Sequence, residues 1–181
     1  MGFVVQQDEA SLIAAHRFQV NAELKELRLL DCSASISPQV SEKAGELRLG
    51  LEFLPSILEH SKTGVWFAVK VSVHGDQEAP GESPAKRIFE VSCRFAVQYG
   101  LRENYSPSGE ELDAFKEGNA VFQCWPYARE LVQNLTLRMG LHLPPLPLLR
   151  IAPRPVTQPA SQAGEPAKKR NSHARRSKRG T

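Results

Sequence analysis

Strict alternation of apolar and polar residues dominates the middle of the chain. Leu47, Leu49, Leu51 and Phe53 alternate with Glu46, Arg48, Gly50 and Glu52. Val65, Phe67, Val69, Val71 and Val73 alternate with Trp66, Ala68, Lys70, Ser72 and His74. Phe89, Val91, Cys93, Phe95, Val97 and Tyr99 alternate with Glu90, Ser92, Arg94, Ala96 and Gln98. A period of two over this many residues predicts antiparallel strands with one apolar face each. Pro55 is expected to end the first. Residues 74–86 (HGDQEAPGESPAK) are too short for a crossover helix, so they predict a hairpin with a mobile tip. Upstream, Leu30, Cys32, Ala34 and Ile36 share one parity while Leu27 and Leu29 take the other. A strand over residues 20–36 that carries a bulge reconciles the two, and Pro38 closes it.

Helical spacing takes over at both ends. Leu12, Ile13, Ala15 and Phe18 suit a short amphipathic helix over residues 8–18. Ser108 and Glu111 have the spacing of a capping box, which predicts a short helix with Leu112 and Phe115 turned inward and Gly118 as its stop. From Ala120 to Met139 the positions Ala128, Leu131, Val132, Leu135 and Met139 share one helical face. Pro126 opens or kinks that helix, because it has no donor for the Phe122 carbonyl. Its other flank (Phe122, Trp125, Tyr127 and Leu137) is left without an obvious cover. Residues 141–155 are punctuated by proline, and 157–181 hold too few apolar groups to offset the cost of ordering, so the end of the chain is expected to be disordered. The expected fold class is therefore α+β: a four-stranded antiparallel sheet followed by a short and a long C-terminal helix. The segments are an N-terminal helical stretch (1–19), one domain (20–150) and a tail (151–181).

Charge adds a feature that hydropathy does not show. The net charge of +3 is unevenly spread. Residues 165–181 hold seven Lys/Arg against one Glu, a net +6. The rest holds 16 against 19 acidic groups, a net −3. Lys168, Lys169, Arg170, Arg175, Arg176, Lys178 and Arg179 make a tail suited to weak, sequence-independent contact with polyanions such as RNA, ribosomes or anionic lipid.

Catalytic and cofactor signatures are not found. His16, His60, His74, His142 and His173 share no ligand spacing, and no phosphate-binding glycine motif appears. Cys32, Cys93 and Cys124 are odd in number and far apart in sequence, which supports neither a disulfide framework nor a zinc site. All three lie in apolar-patterned segments, where a free Cys packs as a small hydrophobe. Gln6, Gln7, Asp8 and Glu9 interrupt any secretory core, and no apolar run reaches the ~20 residues of a membrane span. The reading is a cytoplasmic, non-enzymatic protein without a cofactor. Its one-sided sheet and half-covered helix call for a homo-oligomer.

The run Trp125-Pro126-Tyr127-Ala128-Arg129-Glu130, followed by an apolar helix, Arg138, Gly140, Pro144 and Leu146, resembles the C-terminal helix of SecB-type chaperones. Met139 lengthens the usual Arg-Gly spacing by one residue. The order of four strands, a short helix and a long helix extends the likeness over residues 20–150. The resemblance implies dimers that stack through their helices into a dimer of dimers. It also implies apolar grooves that hold non-native polypeptides without nucleotide hydrolysis, in export or in protection of an antitoxin. Export members hand precursors to the SecA motor, and the basic tail departs from that type, which weighs against SecA as a partner. On this reading Trp66, Leu54, Ile57 and Leu58 are candidates for client binding. Phe122, Trp125, Pro126, Tyr127, Arg129, Glu130, Leu131 and Leu135 serve subunit or helix packing, with Arg129 and Glu130 pairing or capping at a subunit contact and Tyr127 packed with its hydroxyl hydrogen-bonded. The alternative is an RNA- or ribosome-associated protein that acts through its tail.

Overall fold

The structure is a computed structural model that describes residues 3–38, 47–77 and 85–154. Strand β1 (Phe3–Gln7) leads into helix α1 (Glu9–Asn21), and four long strands follow: β2 (Ala22–Ile36), β3 (Leu47–His60), β4 (Gly64–Gln77) and β5 (Lys86–Leu101). Helix α2 (Gly109–Phe115), a π-helical turn (Lys116–Ala120), helix α3 (Val121–Arg138) and strand β6 (Leu149–Pro153) complete the chain. The long strands form one antiparallel sheet in the order β2-β5-β4-β3. The four-stranded α+β arrangement matches the periodicity. The tip of the β4–β5 hairpin (78–84) and the basic tail lie outside the described residues.

The parity conflict in β2 resolves as a bulge. Leu27 and Leu29 oppose Val97 and Phe95; the register then shifts between Leu29 and Asp31, and Cys32, Ala34 and Ile36 oppose Cys93, Val91 and Phe89. One extra residue in the strand therefore places both parities on the same face.

The helices pack on that face. Phe18 of α1 is fully buried, with its ring centroid 4.4 Å from Phe115, 5.7 Å from Phe67 and 5.9 Å from Tyr99. Asp8 caps α1 by accepting a 2.7 Å bond from the Ser11 amide, which holds its carboxyl below the ordinary value. Ser108 and Glu111 close the anticipated capping box on α2.

Two expectations about stops are overturned. Pro55 does not end β3, which runs on to His60. The strand lies at the sheet edge, where a residue without an amide proton is tolerated because its nitrogen can face away from the neighbour. Consequently Leu54, Ile57 and Leu58 lie within the strand and not after it. Gly118 does not end a helix either: α2, the π-turn and α3 follow one another without a gap from Gly109 to Arg138. A π-turn lengthens the bonding step and releases a carbonyl. Here the Ala114 carbonyl accepts a 2.7 Å bond from Nε2 of Gln7, a buried residue of β1. A Cβ on Gly118 would come within 2.5 Å of Gln7 Oε1, so glycine is there to admit the amide. The actual stop is Gly140, at φ +78, where the Leu141 amide reaches the Thr136 carbonyl at 2.9 Å.

Periodicity did not disclose the second sheet. β1 and β6 pair in parallel from Phe3–Leu149 to Gln7–Pro153, joining the two ends of the domain, and β6 crosses the boundary placed at residue 150.

Candidate functional site

Helix α3 lies along β4 and β5, and its two flanks meet different surroundings. Trp125 and Arg129, one turn apart, mark the flank toward β3 and the strap of residues 141–153. The Trp125 ring centroid lies 5.6 Å from Phe53 of β3 and 5.8 Å from Phe3 of β1, both edge to face. Its Nε1 donates a 3.0 Å bond to the Pro147 carbonyl, and Arg129 Nε donates to the Leu146 carbonyl. Leu146 and Leu149 of the strap are buried. Trp125, assigned to the uncovered flank from helical spacing, is thus only 2% exposed, because the proline-rich strap folds back over it.

At about 100° per residue, Tyr127, Leu131 and Leu135 fall on the opposite flank, toward β2. Tyr127 was expected to pack; it is 52% exposed, and Leu131 and Leu135 are half-buried. Every residue of β2 beyond Leu27 is exposed, including Leu29 (43%), Cys32, Ala34 and Ile36, which point to the core side of the sheet. The helices stop short of this edge strand, so its apolar row forms a ledge beside α3.

The ledge offers two kinds of contact. Apolar side chains laid on it are withdrawn from water at roughly 25 cal/mol per Å². The outer edge of β2 carries backbone donors and acceptors that, among the described residues, no second strand takes up, so an extended chain could add there. Helix α1 approaches only the start of β2 and leaves Leu29 to Ile36 open.

The four residues singled out for client contact do not share one surface. Trp66 and Leu54 lie on the face of the sheet away from the helices, in register with Gln98 and Lys70. The Trp66 ring is half-buried, with the Arg28 guanidinium reaching across β5 to stand 4.6 Å above it. Ile57 opposes Phe67 on the helix side, and Leu58 falls in the bulge between Ile57 and Glu59. Leu54 and Leu58 are each about half exposed. Among the residues assigned to subunit or helix packing, Phe122 and Pro126 are exposed, and Glu130 accepts a 3.3 Å bond from Asn134 Nδ2 within the chain. The ledge on β2 escaped sequence reasoning because alternation shows that a strand has an apolar face but not whether a helix reaches it.

Cys93 and Cys124 are buried, as small hydrophobes should be, and burial pushes both thiols up to about 12. Cys32 is exposed, contrary to expectation, because its strand lies beyond the helical cover. Among the described residues no cluster of three or more His, Cys, Asp or Glu could hold a metal. No described helix is long and apolar enough to cross a membrane.

No protein-family model matches the chain. The SecB-like chaperone Rv1957 of Mycobacterium tuberculosis (strain H37Rv) is 31% identical over 155 residues, covering 77% of this chain and 82% of that protein. The chain belongs to the SecB-like chaperone family. The SecB-like chaperone MT2006 of Mycobacterium tuberculosis strain CDC 1551 aligns with the same identity and coverage. Among solved structures, Rv1957 in complex with a ChAD peptide from the Rv1956 HigA1 antitoxin superposes with a TM-score of 0.58 at 26% identity, over 76% of this chain and 96% of that one. In this SecB-like chain the Trp-Pro-Tyr-Ala-Arg-Glu run straddles both flanks of α3. Trp125 and Arg129 hold the strap, and Tyr127 lies exposed on the opposite flank.

Proposed function

We propose that this SecB-like chaperone is an ATP-independent holdase that keeps non-native polypeptides on the apolar ledge between β2 and α3. The observation that carries the reading is the uncovered row from Leu29 to Ile36, left open in a chain whose family is a chaperone family. An extended client segment could satisfy the β2 edge while its side chains lie against Tyr127, Leu131 and Leu135. Leu54, Ile57, Leu58 and the Trp66–Arg28 stack provide secondary contacts along β3 and β4. The antitoxin peptide held by Rv1957 supports protection of an antitoxin as the client class, in preference to export through SecA.

Self-association belongs to the same reading. Two chains would pair through exposed strand edges and stack through Phe122 and Leu137 into a dimer of dimers, a cytoplasmic assembly with neither catalytic residue nor cofactor. The decisive experiment follows aggregation of a chemically denatured test protein without nucleotide. Suppression at near-stoichiometric chaperone supports the reading, and no suppression at several-fold molar excess removes it. The basic tail supports a second reading, polyanion contact through residues 165–181. Deleting them should abolish nucleic-acid binding at low salt and leave aggregation suppression intact.

A further inference from the structure

The three cysteines, widely separated in sequence, come together in the fold. Cys32 of β2 and Cys93 of β5 are direct cross-strand partners, close enough for Cys32 to raise the Cys93 thiol, and Cys93 in turn lies close enough to Cys124 of α3 to raise that thiol. Opposed residues of an antiparallel pair project to the same face, so both thiols of the first pair lie on the helix side. The bulge between Leu29 and Asp31 brings this about: without the extra residue, Cys32 would turn to the other face. One rung away the Asp31 carboxylate receives Arg94 Nη2 at 2.7 Å and clamps the register from the opposite side.

We propose that Cys32 and Cys93 close a reversible intrachain disulfide that staples the edge strand β2 to β5. Directly opposed residues hold their Cα atoms about 4.5–5.5 Å apart, inside the ~4.4–6.8 Å range of disulfides. Their Cβ atoms, at about 4.5–5.5 Å, must close to roughly 3.5–4.5 Å. β2 is an edge strand, held by a neighbour on one side only among the described residues, so it can draw in by that amount. The oxidant required is a small-molecule disulfide. The exposed Cys32 thiolate attacks one of its sulfurs, forming a mixed disulfide and releasing one thiolate. Cys93 then gives up its proton and attacks the Cys32 sulfur, expelling the second thiolate. Two electrons pass from the protein to the small disulfide, and two protons are released. Burial keeps Cys93 protonated and makes it the resolving group, not the first to react. Cys124 takes no part, since it and Cys93 are both buried away from the oxidant.

The staple crosses the ledge at its midpoint, yet its formation does not depend on the chaperone reading. The reduced full-length assembly, as purified, is incubated with excess oxidised glutathione, alkylated, and mapped by mass spectrometry. Free thiols should fall from three to one per chain, with the Cys32 and Cys93 peptides joined and dithiothreitol restoring both. The urea midpoint of the oxidised protein should rise. Cys32→Ser should prevent any adduct, Cys93→Ser should trap glutathione on Cys32, and Cys124→Ser should close as the parent does. A parent protein that stops at the Cys32 adduct, links Cys93 to Cys124, or cross-links two chains overturns the proposal. Because thiol mapping requires no client, failure of the holdase reading leaves this result interpretable.

Discussion

The two flanks of α3 carry similar residues and end in opposite states. Toward β3, Trp125 is sealed by two aromatic edges, a strand and a carbonyl; toward β2, Tyr127 stands in solvent two residues later. What differs is the chain that returns after the helix. Residues 141–153 fold back over one flank, using Arg129 to hold a carbonyl and β1 to pair with β6, and nothing in the described domain returns over the other. Amphipathic spacing alone would treat Trp125 and Tyr127 alike. The fate of each is decided by a segment 22 residues beyond Trp125.

The largest expected effect lies on the closed flank. Trp125→Ala removes a buried ring together with its contacts to Phe53, Phe3 and the Pro147 carbonyl, and should cost about 3–5 kcal/mol in urea unfolding. Tyr127→Ala, on the same helix, should change stability by less than about 0.5 kcal/mol. Equal losses would show that the two flanks are not different.

The latch at Gln7 comes next. Gly118→Ala drives a methyl group into the Gln7 amide and should cost on the order of 1–3 kcal/mol. In a Gln7→Ala background the same substitution should cost much less, since the colliding group is gone. That coupling is measurable as a double-mutant cycle. Additive losses would mean that Gln7 of β1 does not press on the π-turn.

These two cases also show what could be foreseen. The sheet, the bulge in β2 and the capping box at Ser108 follow from local spacing, because alternation is a direct record of which side is buried; on α3 the spacing found Ala128 and Val132 but not Trp125, which the returning chain buries. Gly118 was misread because a glycine that ends a helix and one that admits a neighbouring side chain look alike until the neighbour is known. The β1–β6 pair joins residues nearly 150 positions apart through two five-residue strands, each too short to show a period. The WPYARE run identified the family correctly, yet it could not separate Trp125, which closes the strap, from Tyr127, which stays exposed.

A contact away from both flanks calibrates how little a solvent-facing interaction adds. The Arg87 guanidinium, bonded to Asp76 at 2.8 Å, holds the Asp76 carboxyl below the usual 3.8. A carboxylate with a lowered folded value stabilises the fold above its unfolded pKa, and that contribution is lost as pH falls through the folded value. Asp76→Asn should therefore be less stable than the parent at neutral pH, by under about 1 kcal/mol because the pair is screened by water. In acid, once Asp76 is protonated in both states, the difference should vanish. A gap that persists in acid would show that the side chain acts through packing rather than charge.

The smallest expected change in stability lies on the ledge itself. Leu29→Ser and Ile36→Ser alter side chains that already face water on an edge strand, so each should shift unfolding by no more than about 0.5 kcal/mol. The same substitutions remove apolar area from the surface proposed to hold clients, and the pair together should weaken capture of an unfolded peptide several-fold. Stability and capture must therefore separate here, whereas Trp125→Ala should reduce capture only to the extent that it unfolds the domain. If the double variant captures peptide as well as the parent, the binding surface lies elsewhere, and the Trp66 and Leu54 face becomes the next to test. If it captures poorly but is also strongly destabilised, β2 is not an open edge at all, and the contrast between the two flanks fails at its root.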